Sequence, residues 1–344
     1  MRLRKHQGGY VLALSIAVLA LLLVAATFVG QSVSDAVALA RLHRENLDSE
    51  IRIESARSRV LFLLATAPRF SKGLGVETRT VVLDGRPYAV GDGILASFQD
   101  IQGLVSLNGP SLTSPSLGRI ERLLGTYGLD GPKSTSLAEA LLDYRDPDDL
   151  RRLNGAEDAE YSLAGKSLQL RNKNLLDPLE ASRVYGWRET ASLWGPDPIT
   201  DHISAQRGTR FNPNVADWRA LVAMTGIGEE MARDLAAKRR KGEIEDISGL
   251  VFSGGFGDPF GANAFVTTFP AASILVTLRA DHAQWGLRYL VHHVPTESAS
   301  PWRVETVRRV NLPLPLKPYA EYPELPDLKA LGGPLVPGPI KLPF

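Results

Sequence analysis

The chain of 344 residues contains no cysteine, and its 39 basic and 38 acidic residues leave a net charge of only +1. Without cysteine, disulfide bridges and thiol catalysis are excluded, so stability must come from packing or from a bound metal. The near-neutral charge gives no electrostatic signal for nucleic acid or for an acidic substrate. The sequence also has no Gly-x-Ser-x-Gly, no Walker loop and no His-Glu-x-x-His. The sequence therefore offers no arrangement of residues that supports an active site.

Charged residues are absent between Gly8 and Ser34, directly after the basic leader 1–7. The apolar core of this stretch, Tyr10 to Val29, is about 20 residues long, which at about 1.5 Å per residue crosses a hydrocarbon layer of about 30 Å. By the positive-inside rule, the basic leader keeps the N-terminus in the cytoplasm and places the main domain on the other side of the membrane. A plain N-terminal signal anchor would fit the same pattern.

Proline is absent before Pro68, and apolar residues continue at helical spacing well past the membrane span. One helix over residues 10–65, apolar in its first half and amphipathic in its second, explains this pattern. Gly30 leaves open a second possibility, a break between a membrane span and a separate helix outside the membrane.

Strand patterns occur in two blocks, with about 160 residues of mainly helical pattern between them. The first block predicts two short strands around Asp84-Gly85, a dipeptide typical of hairpin turns, and a third strand at Ile94–Phe98. The second block predicts strands at Ser273–Leu278, Leu287–Val294 and Arg303–Val310. Helices are predicted between the blocks at Leu117–Tyr127, Ser136–Tyr144, Pro178–Tyr185, Val215–Met224 and Glu229–Arg240.

This order predicts an α+β fold with an antiparallel sheet, interrupted by a large all-α inserted domain. We place the first part of the α+β domain at 66–110, the insert at 111–265 and the C-terminal strands at 266–310. The remaining tail, 311–344, has nine prolines in 34 residues and no core of its own. Two roles are open for it: covering an edge strand of the sheet, or docking on a partner.

The densest acidic cluster has seven carboxylates between Asp143 and Glu160. An irregular loop with several carboxylates and a glycine can supply the six to eight oxygens that Ca²⁺ prefers. The residue order of an EF-hand is missing. The alternatives are a solvated acidic loop, or helix N-caps at Asp146 and Asp158.

Residues 217–239 read as two short helices joined by Gly226-Ile227-Gly228, the pattern of a helix-hairpin-helix. In DNA-binding versions the backbone amides of the hairpin meet a phosphate. Here Glu229 and Glu230 follow the hairpin directly and would repel a phosphate. The other interpretation is a packing motif inside a helical domain.

The order of the N-terminal parts resembles type IV pilins and the pseudopilins of type II secretion, in which a dedicated peptidase cuts after a glycine that precedes the membrane helix. The cut would fall between Gly9 and Tyr10, which makes residues 1–9 a prepilin leader. Most members carry a glutamate at the fifth mature position, whereas this chain has Leu14. An unpaired carboxylate in lipid costs several kcal/mol, so a subunit with no neighbour above it has no use for one.

Further motifs follow in the order seen in the K-type minor pseudopilin of type II secretion, and the resemblance extends to about Val310. The segment Phe211–Ala216 resembles that family's Ile-Asn-x-Asn-Thr-Ala, although Val215 replaces the usual threonine and Pro213 interrupts the motif. The other motifs are Asp100-Ile101-Gln102-Gly103-Leu104 with Leu107-Asn108, Ala140-Leu141-Leu142-Asp143-Tyr144-Arg145-Asp146, and Gly155-Ala156-Glu157-Asp158.

The resemblance implies a pilin-like α+β domain with an inserted α-domain, at the tip of the periplasmic pseudopilus of a type II secretion system. Such a subunit is structural: it helps to start pseudopilus assembly and to export folded proteins across the outer membrane. It is anchored in the bacterial inner membrane by one span, is cut by the prepilin peptidase, assembles with the I- and J-type minor pseudopilins and can contact secreted substrates.

The resemblance also implies a structural calcium site. Candidate ligands are Asp143, Asp146, Asp148, Glu157 and Asp158. The alternative function is a membrane-anchored periplasmic DNA receptor built on the helix-hairpin-helix, and the near-neutral charge argues against it.

Overall fold

The computed structural model describes residues 8–71, 73–76, 79–108, 114–165, 170–208, 210–242, 266–294 and 300–326. The basic leader 1–7, the last part of the predicted insert (243–265) and the end of the tail (327–344) lie outside these residues. Within them the chain is a mixed α and β fold, as the sequence predicted, with a long N-terminal helix, antiparallel sheets and further helices. Residues up to Glu54 form one unit of structure, and residues from Ser55 onward form a second.

The N-terminal helix, α1, runs without interruption from Gly8 to Thr66. It passes through Gly30, so the predicted single helix is confirmed and the break at that glycine is not present. The few polar side chains of its apolar half bond to the backbone of the preceding turn: Ser15 donates to the Val11 carbonyl at 2.8 Å, and Thr27 donates to that of Val24 at 2.8 Å. Such local bonds make a hydroxyl tolerable in an apolar helix because no polar group is left unpaired.

In the part of the chain that the structure describes, ten strands follow in three sheets. The main sheet has five antiparallel strands in the order β10-β9-β8-β5-β4, so β4 and β10 are its edges. The last turns of α1 contact this sheet, since the Arg57 guanidinium lies 5.4 Å from the ring centre of Tyr289 and Arg59 donates to the Val90 carbonyl at 3.1 Å. The strands are β1 (Arg69–Phe70), β2 (Gly73–Val76), β3 (Arg79–Val81), β4 (Asp84–Gly91), β5 (Ile94–Asp100), β6 (Val105–Ser106), β7 (Ile203–Ser204), β8 (Ser273–Ala280), β9 (Trp285–His293) and β10 (Trp302–Asn311).

The predicted hairpin turn at Asp84-Gly85 is wrong. Strand β3 pairs with β2, and β4 begins at Asp84 and pairs with β5. The tight turn lies one strand later, at Asp92 and Gly93, which both have a positive φ (53° and 67°). Both central residues of a type I′ turn need a positive φ, and Asp-Gly satisfies that requirement at either place. The buried Asp84 carboxylate instead binds Arg86 Nε at 2.8 Å and Nη2 at 2.7 Å.

The helical part of the chain lies between β5 and β8 in sequence. Its helices pack around one apolar core in which Trp187, Tyr144 and Tyr161 are fully buried. Two features differ from the predicted pattern: the helix expected at Pro178–Tyr185 is a 3₁₀ helix at Pro178–Arg183, and the short parallel pair β6–β7 lies in this part. The α-helices are α2 (Ser114–Gly125), α3 (Pro132–Arg145), α4 (Asp158–Leu163), α5 (Trp218–Thr225) and α6 (Glu229–Arg240).

One buried carboxylate joins the helical part to the sheet. Asp100, the last residue of β5, is fully buried and accepts hydrogen bonds from the Gln102 amide at 2.9 Å, the Ala271 amide at 3.2 Å and the Asn212 side chain at 3.5 Å. Burial raises the pKa of Asp100 to about 6, against the lowering effect of these donors. The carboxylate therefore ties the place where the chain leaves the sheet to the place, near Ala271, where it returns.

Of the two roles open for the proline-rich tail, the structure shows the first. The described part of the tail runs along β4, where the Ala89 amide donates to the Pro323 carbonyl and the Leu325 amide donates to the Ala89 carbonyl, both at 2.8 Å. This segment covers one edge of the main sheet.

Candidate functional site

The predicted metal ligands lie where α3 ends and α4 begins. Helix α3 ends at Arg145, and Asp146 is its C-cap, with its amide donating to the Leu142 carbonyl at 3.0 Å. At the start of α4, the Glu160 carboxylate accepts the Glu157 amide at 3.0 Å, as in a capping box. Of the remaining predicted ligands, Asp143 lies in the last turn of α3, Asp148 in the loop between the caps and Asp158 at the start of α4.

Arg152, which is in this loop, lies between the buried carboxylates of Asp143 and Asp146. Its Nη1 atom is 2.5 Å from Asp143 Oδ1 and 2.5 Å from Asp146 Oδ2. Both carboxylate side chains are almost completely buried, with 0% and 3% of their surface exposed, whereas Arg152 is 28% exposed. The guanidinium therefore reaches in from the surface and neutralises part of the buried negative charge.

Gly155 allows the loop to close over Asp143. A Cβ atom at this position would lie only 1.9 Å from Asp143 Oδ2. The same oxygen accepts the backbone amide of Arg152 at 3.2 Å. Any side chain at position 155 would therefore displace Asp143 or the loop backbone.

One guanidinium does not satisfy all the buried carboxylate oxygens. Asp146 Oδ1 and Glu157 Oε1 are buried and have no hydrogen-bond partner. Burial and the neighbouring negative charges of Asp143 and Asp146 raise the pKa of Glu157 to about 7. Burial also raises the pKa values of Asp143 and Asp146, despite their contacts with Arg152. The cluster has more buried negative charge than its own side chains balance.

The other two predicted ligands face solvent. Asp148 accepts the Leu150 amide at 3.0 Å, and Asp158 accepts the Leu170 amide at 3.2 Å, and both residues are exposed. Residues 143, 146 and 157 thus form an inner group, which we call the acidic cluster. Asp148 and Asp158 lie outside it and stabilise local loop geometry.

Among the described residues, no three acidic or histidine side chains are arranged as a set of metal ligands. In the acidic cluster, the guanidinium of Arg152 lies between Asp143 and Asp146. Reasoning from the sequence considered only the carboxylates and so missed Arg152 and Gly155. The Arg151-Arg152 pair inside the acidic run was the available signal.

The predicted processing site lies at the start of α1. The helix begins at Gly8, so the bond between Gly9 and Tyr10 is in its first turn. Tyr10 and Leu14 have exposed side chains, 76% and 53%, as expected for residues that meet lipid. The helix contains a segment long and apolar enough to cross a membrane, which indicates a single-pass anchor.

The segment predicted as a helix-hairpin-helix consists of two helices, α5 and α6, joined by Gly226-Ile227-Gly228. Gly226 has a φ of 78° and ends α5, and Ile227 is buried in the helical core with its amide directed at the Thr225 hydroxyl, 3.3 Å away. Glu229 and Glu230 are exposed in the first turn of α6. None of these contacts favours the binding of a phosphate. A role of this helical hairpin in DNA binding therefore stays a prediction.

Known proteins resemble the chain in part of its sequence and in its fold. Residues 99–192, which contain the whole acidic cluster, match the model of a family described as type II secretion system, protein K. The fold matches that of GspK in the crystal structure of the GspK-GspI-GspJ complex from the type 2 secretion system of enterotoxigenic Escherichia coli, with a TM-score of 0.53 and 15% identity. The match covers 79% of this chain and 99% of that chain. No curated protein matches the chain.

Replacing Glu157 by Gln tests the charge imbalance of the acidic cluster. The native pKa of about 7 lies above the ordinary 4.5, so between these values the folded state binds more protons than the unfolded state. This contribution to stability is complete below pH 4.5 and is lost as the pH rises through 7. In the presence of a chelator, we expect the variant to equal the wild type at pH 4.5 and to exceed it by about 1–2 kcal/mol at pH 8.

Urea unfolding across this pH range measures the difference, with the exposed Asp130→Asn as a control that should show no such trend. A Glu157→Gln variant that loses stability equally at every pH would contradict the assignment.

Proposed function

We propose, from the match of residues 99–192 to the family model of type II secretion system protein K, that the chain is a K-type minor pseudopilin at the tip of the periplasmic pseudopilus. Its role there is structural: it helps to start pseudopilus assembly and so supports export of folded proteins across the outer membrane. The observation that carries the proposal is the co-occurrence of the family segment, the GspK fold and one N-terminal apolar helix in the same chain.

The proposed partners are the I- and J-type minor pseudopilins. The structure with the matching fold is a complex of GspK with GspI and GspJ, and the match spans 99% of that chain. A tip subunit of this kind needs surfaces for its partners and a membrane anchor, but no active site. We therefore propose a non-enzymatic subunit, with secreted proteins as further contacts.

The anchor is the apolar half of α1, inserted in the inner membrane with the main domain in the periplasm. The prepilin peptidase would cut between Gly9 and Tyr10 and leave Leu14 at the fifth mature position. A carboxylate there needs the amine of an adjacent subunit, because an unpaired charge in lipid is costly. Leucine at this position suits the first subunit of the filament, which has no neighbour above it.

We further propose that calcium binds at the acidic cluster. Asp146 Oδ1 and Glu157 Oε1 are buried oxygens without partners, and the guanidinium of Arg152 contacts only Asp143 and Asp146 among the three buried carboxylates. Ca²⁺ takes oxygen ligands and would supply the missing positive charge. Arg152 is partly exposed and can leave the two carboxylates toward solvent, and we propose the exposed Asp148, in the loop, and Asp158, at the start of α4, as further oxygen donors.

Assembly with the partners tests the tip role. The chain without residues 1–34, mixed with soluble domains of the I- and J-type subunits from the same system, should form a stable complex with one copy of each. Light scattering coupled to gel filtration measures the mass. Three folded proteins that elute separately with calcium present would contradict the proposal.

Processing is tested at the two glycines of the leader. A peptidase that accepts only a residue without a side chain before the cut should leave Gly9→Val untrimmed, whereas the neighbouring Gly8→Val should still be cut. Mass spectrometry of the N-terminus measures this, with Tyr10 as the expected first residue of the wild type. Trimming of Gly9→Val to the same product would exclude this cleavage site.

Calcium should stabilise the folded soluble chain by mass action, by about 2.7 kcal/mol at a hundred times the dissociation constant, and so raise its melting temperature. The response should disappear in Asp146→Asn, which removes a buried charge at the cluster, and persist in the exposed Asp130→Asn. Magnesium at equal ionic strength controls for screening. An unchanged melting temperature at saturating calcium would exclude the site.

A further inference from the structure

His202 lies in the helical part of the chain, and each of its two ring nitrogens faces a carboxylate. Nε2 is 2.7 Å from Asp197 Oδ1, and Nδ1 contacts Asp217 Oδ2. The residue is only 8% exposed, so water does not take the place of these partners. A neutral imidazole has one ring N–H, whereas an imidazolium has two. A ring held between two carboxylates therefore carries both protons.

The two carboxylates are held in place by other groups. Asp217 is the N-cap of α5, where its Oδ1 accepts the Ala220 amide at 2.7 Å. Asp197 Oδ2 accepts from Arg219 Nε at 3.0 Å and from Nη2 at 2.9 Å. Each carboxylate thus uses one oxygen for a second partner and the other for His202. Turning either carboxylate away from the ring would break that second contact.

Asp197, His202 and Asp217, here called the imidazolium bridge, connect three segments of the helical part. Asp197 lies in the loop before the 3₁₀ helix Ile199–Asp201, His202 directly precedes β7, and Asp217 caps α5. The His202 carbonyl accepts the Val105 amide at 2.9 Å, beside the β6–β7 pair. The bridge therefore fastens the start of α5 to this strand pair and to the loop at Asp197.

The bridge is electrically balanced only when its ring is protonated, because its two carboxylates face two cations, the imidazolium and the Arg219 guanidinium. Burial lowers the pKa of His202, but the hydrogen bonds and charges of Asp197 and Asp217 outweigh burial and raise the pKa to about 9. The other titratable or charged groups around the bridge are Tyr127 after α2, whose ring centre is 6.3 Å from that of His202, Asp201, which pairs with Arg288 of β9, and Arg239 of α6, whose charge acts on Asp217.

We propose that the imidazolium bridge is a pH-sensitive clamp, which holds the start of α5 against β7 and the loop at Asp197 and loosens when His202 loses a ring proton. A neutral ring keeps one N–H, so its other nitrogen would direct a lone pair at a carboxylate oxygen. That oxygen would lose its donor in a buried place, which is costly.

The sign of the effect follows from the raised pKa of His202. Between the ordinary value of 6.5 and about 9, the folded state binds more protons than the unfolded state. The contribution of the bridge to stability is therefore complete below pH 6.5 and is lost as the pH rises through about 9. The clamp is closed at neutral pH and opens under alkaline conditions.

Exchange of the imidazole C2 hydrogen with deuterium tests the protonation of the ring. Its rate depends on ring protonation, so mass spectrometry of peptides from the full-length chain in detergent gives the midpoint for His202. We expect a midpoint near 9 in the wild type. Asp197→Asn and Asp217→Asn keep the shape of the side chain but remove one charge, so each should lower the proton affinity of the ring by about tenfold or more. The exposed Asp130→Asn should leave it unchanged.

Amide hydrogen exchange of the same samples tests the opening. Peptides that contain residues 215–226 should exchange faster as the pH passes the midpoint, after correction for the pH dependence of exchange itself, whereas peptides from β8 should not. In Asp197→Asn the opening should move to lower pH together with the midpoint. Alkaline loosening caused by other groups would not move in this way.

His202→Gln imitates the neutral ring, because its side-chain amide donates through one atom and accepts through the other. Residues 215–226 should exchange faster in this variant already at neutral pH, with no further step near pH 9. If this variant does not fold, the wild type and the two amide variants still decide the question.

Three results would overturn the proposal. They are a wild-type midpoint at or below the ordinary 6.5, a midpoint that neither amide variant lowers, and exchange of residues 215–226 that stays level across the midpoint. None of these measurements uses calcium or the I- and J-type partners, so the clamp is tested separately from the proposed function.

Discussion

The buried carboxylate of Asp100 fixes the path of the chain from the sheet into the helical part and back. Burying a carboxylate is costly unless donors replace its lost water, and here two backbone amides and the Asn212 side chain do so. The neighbouring Gln99 side chain adds a bond to the Val215 carbonyl at 3.1 Å, and Gly103 leaves room for the same carbonyl, which a Cβ atom would approach to 2.8 Å. This joint fixes where the chain leaves and rejoins the sheet, and the ion pairs Arg288–Asp201 and Arg308–Asp177 are further contacts between the described helical part and the sheet.

The acidic cluster differs from Asp100 in how well its buried negative charge is balanced. At Asp100 the donors suit one charge, whereas at the cluster Asp143 and Asp146 share one guanidinium, and one oxygen each of Asp146 and Glu157 has no donor. A cluster optimised for stability alone would replace one carboxylate by an amide or an apolar side chain. The cluster instead keeps an excess of buried negative charge, and Gly155 allows the loop to lie against Asp143. This excess is the physical reason to propose that a cation binds at the cluster.

The sequence predicted those parts of the fold that local patterns determine. Helix α1 is evident from the absence of proline and from its unbroken apolar run, and α6 is evident from acidic residues in its first turn and basic residues in its last. The hairpin at Asp84-Gly85 failed because Asp92-Gly93 offers the same turn chemistry and pairing partners decide between them. The role of Arg152 could not be predicted, since it depends on a loop that brings position 152 back to the end of α3.

The two edge strands of the main sheet are protected from pairing in different ways, and the tail protects one of them. The β10 edge is protected by the strand's own charged side chains and by its bulge, where Thr306 has a strained backbone. Protection of β4 comes from a separate segment held by three hydrogen bonds, one to Gly91 and two to Ala89. Each such bond contributes only about 1 kcal/mol net, so the tail covers β4 through a few weak contacts. The two edges of the main sheet are therefore closed by different means, β10 by the residues of the strand itself and β4 by a segment distant in sequence.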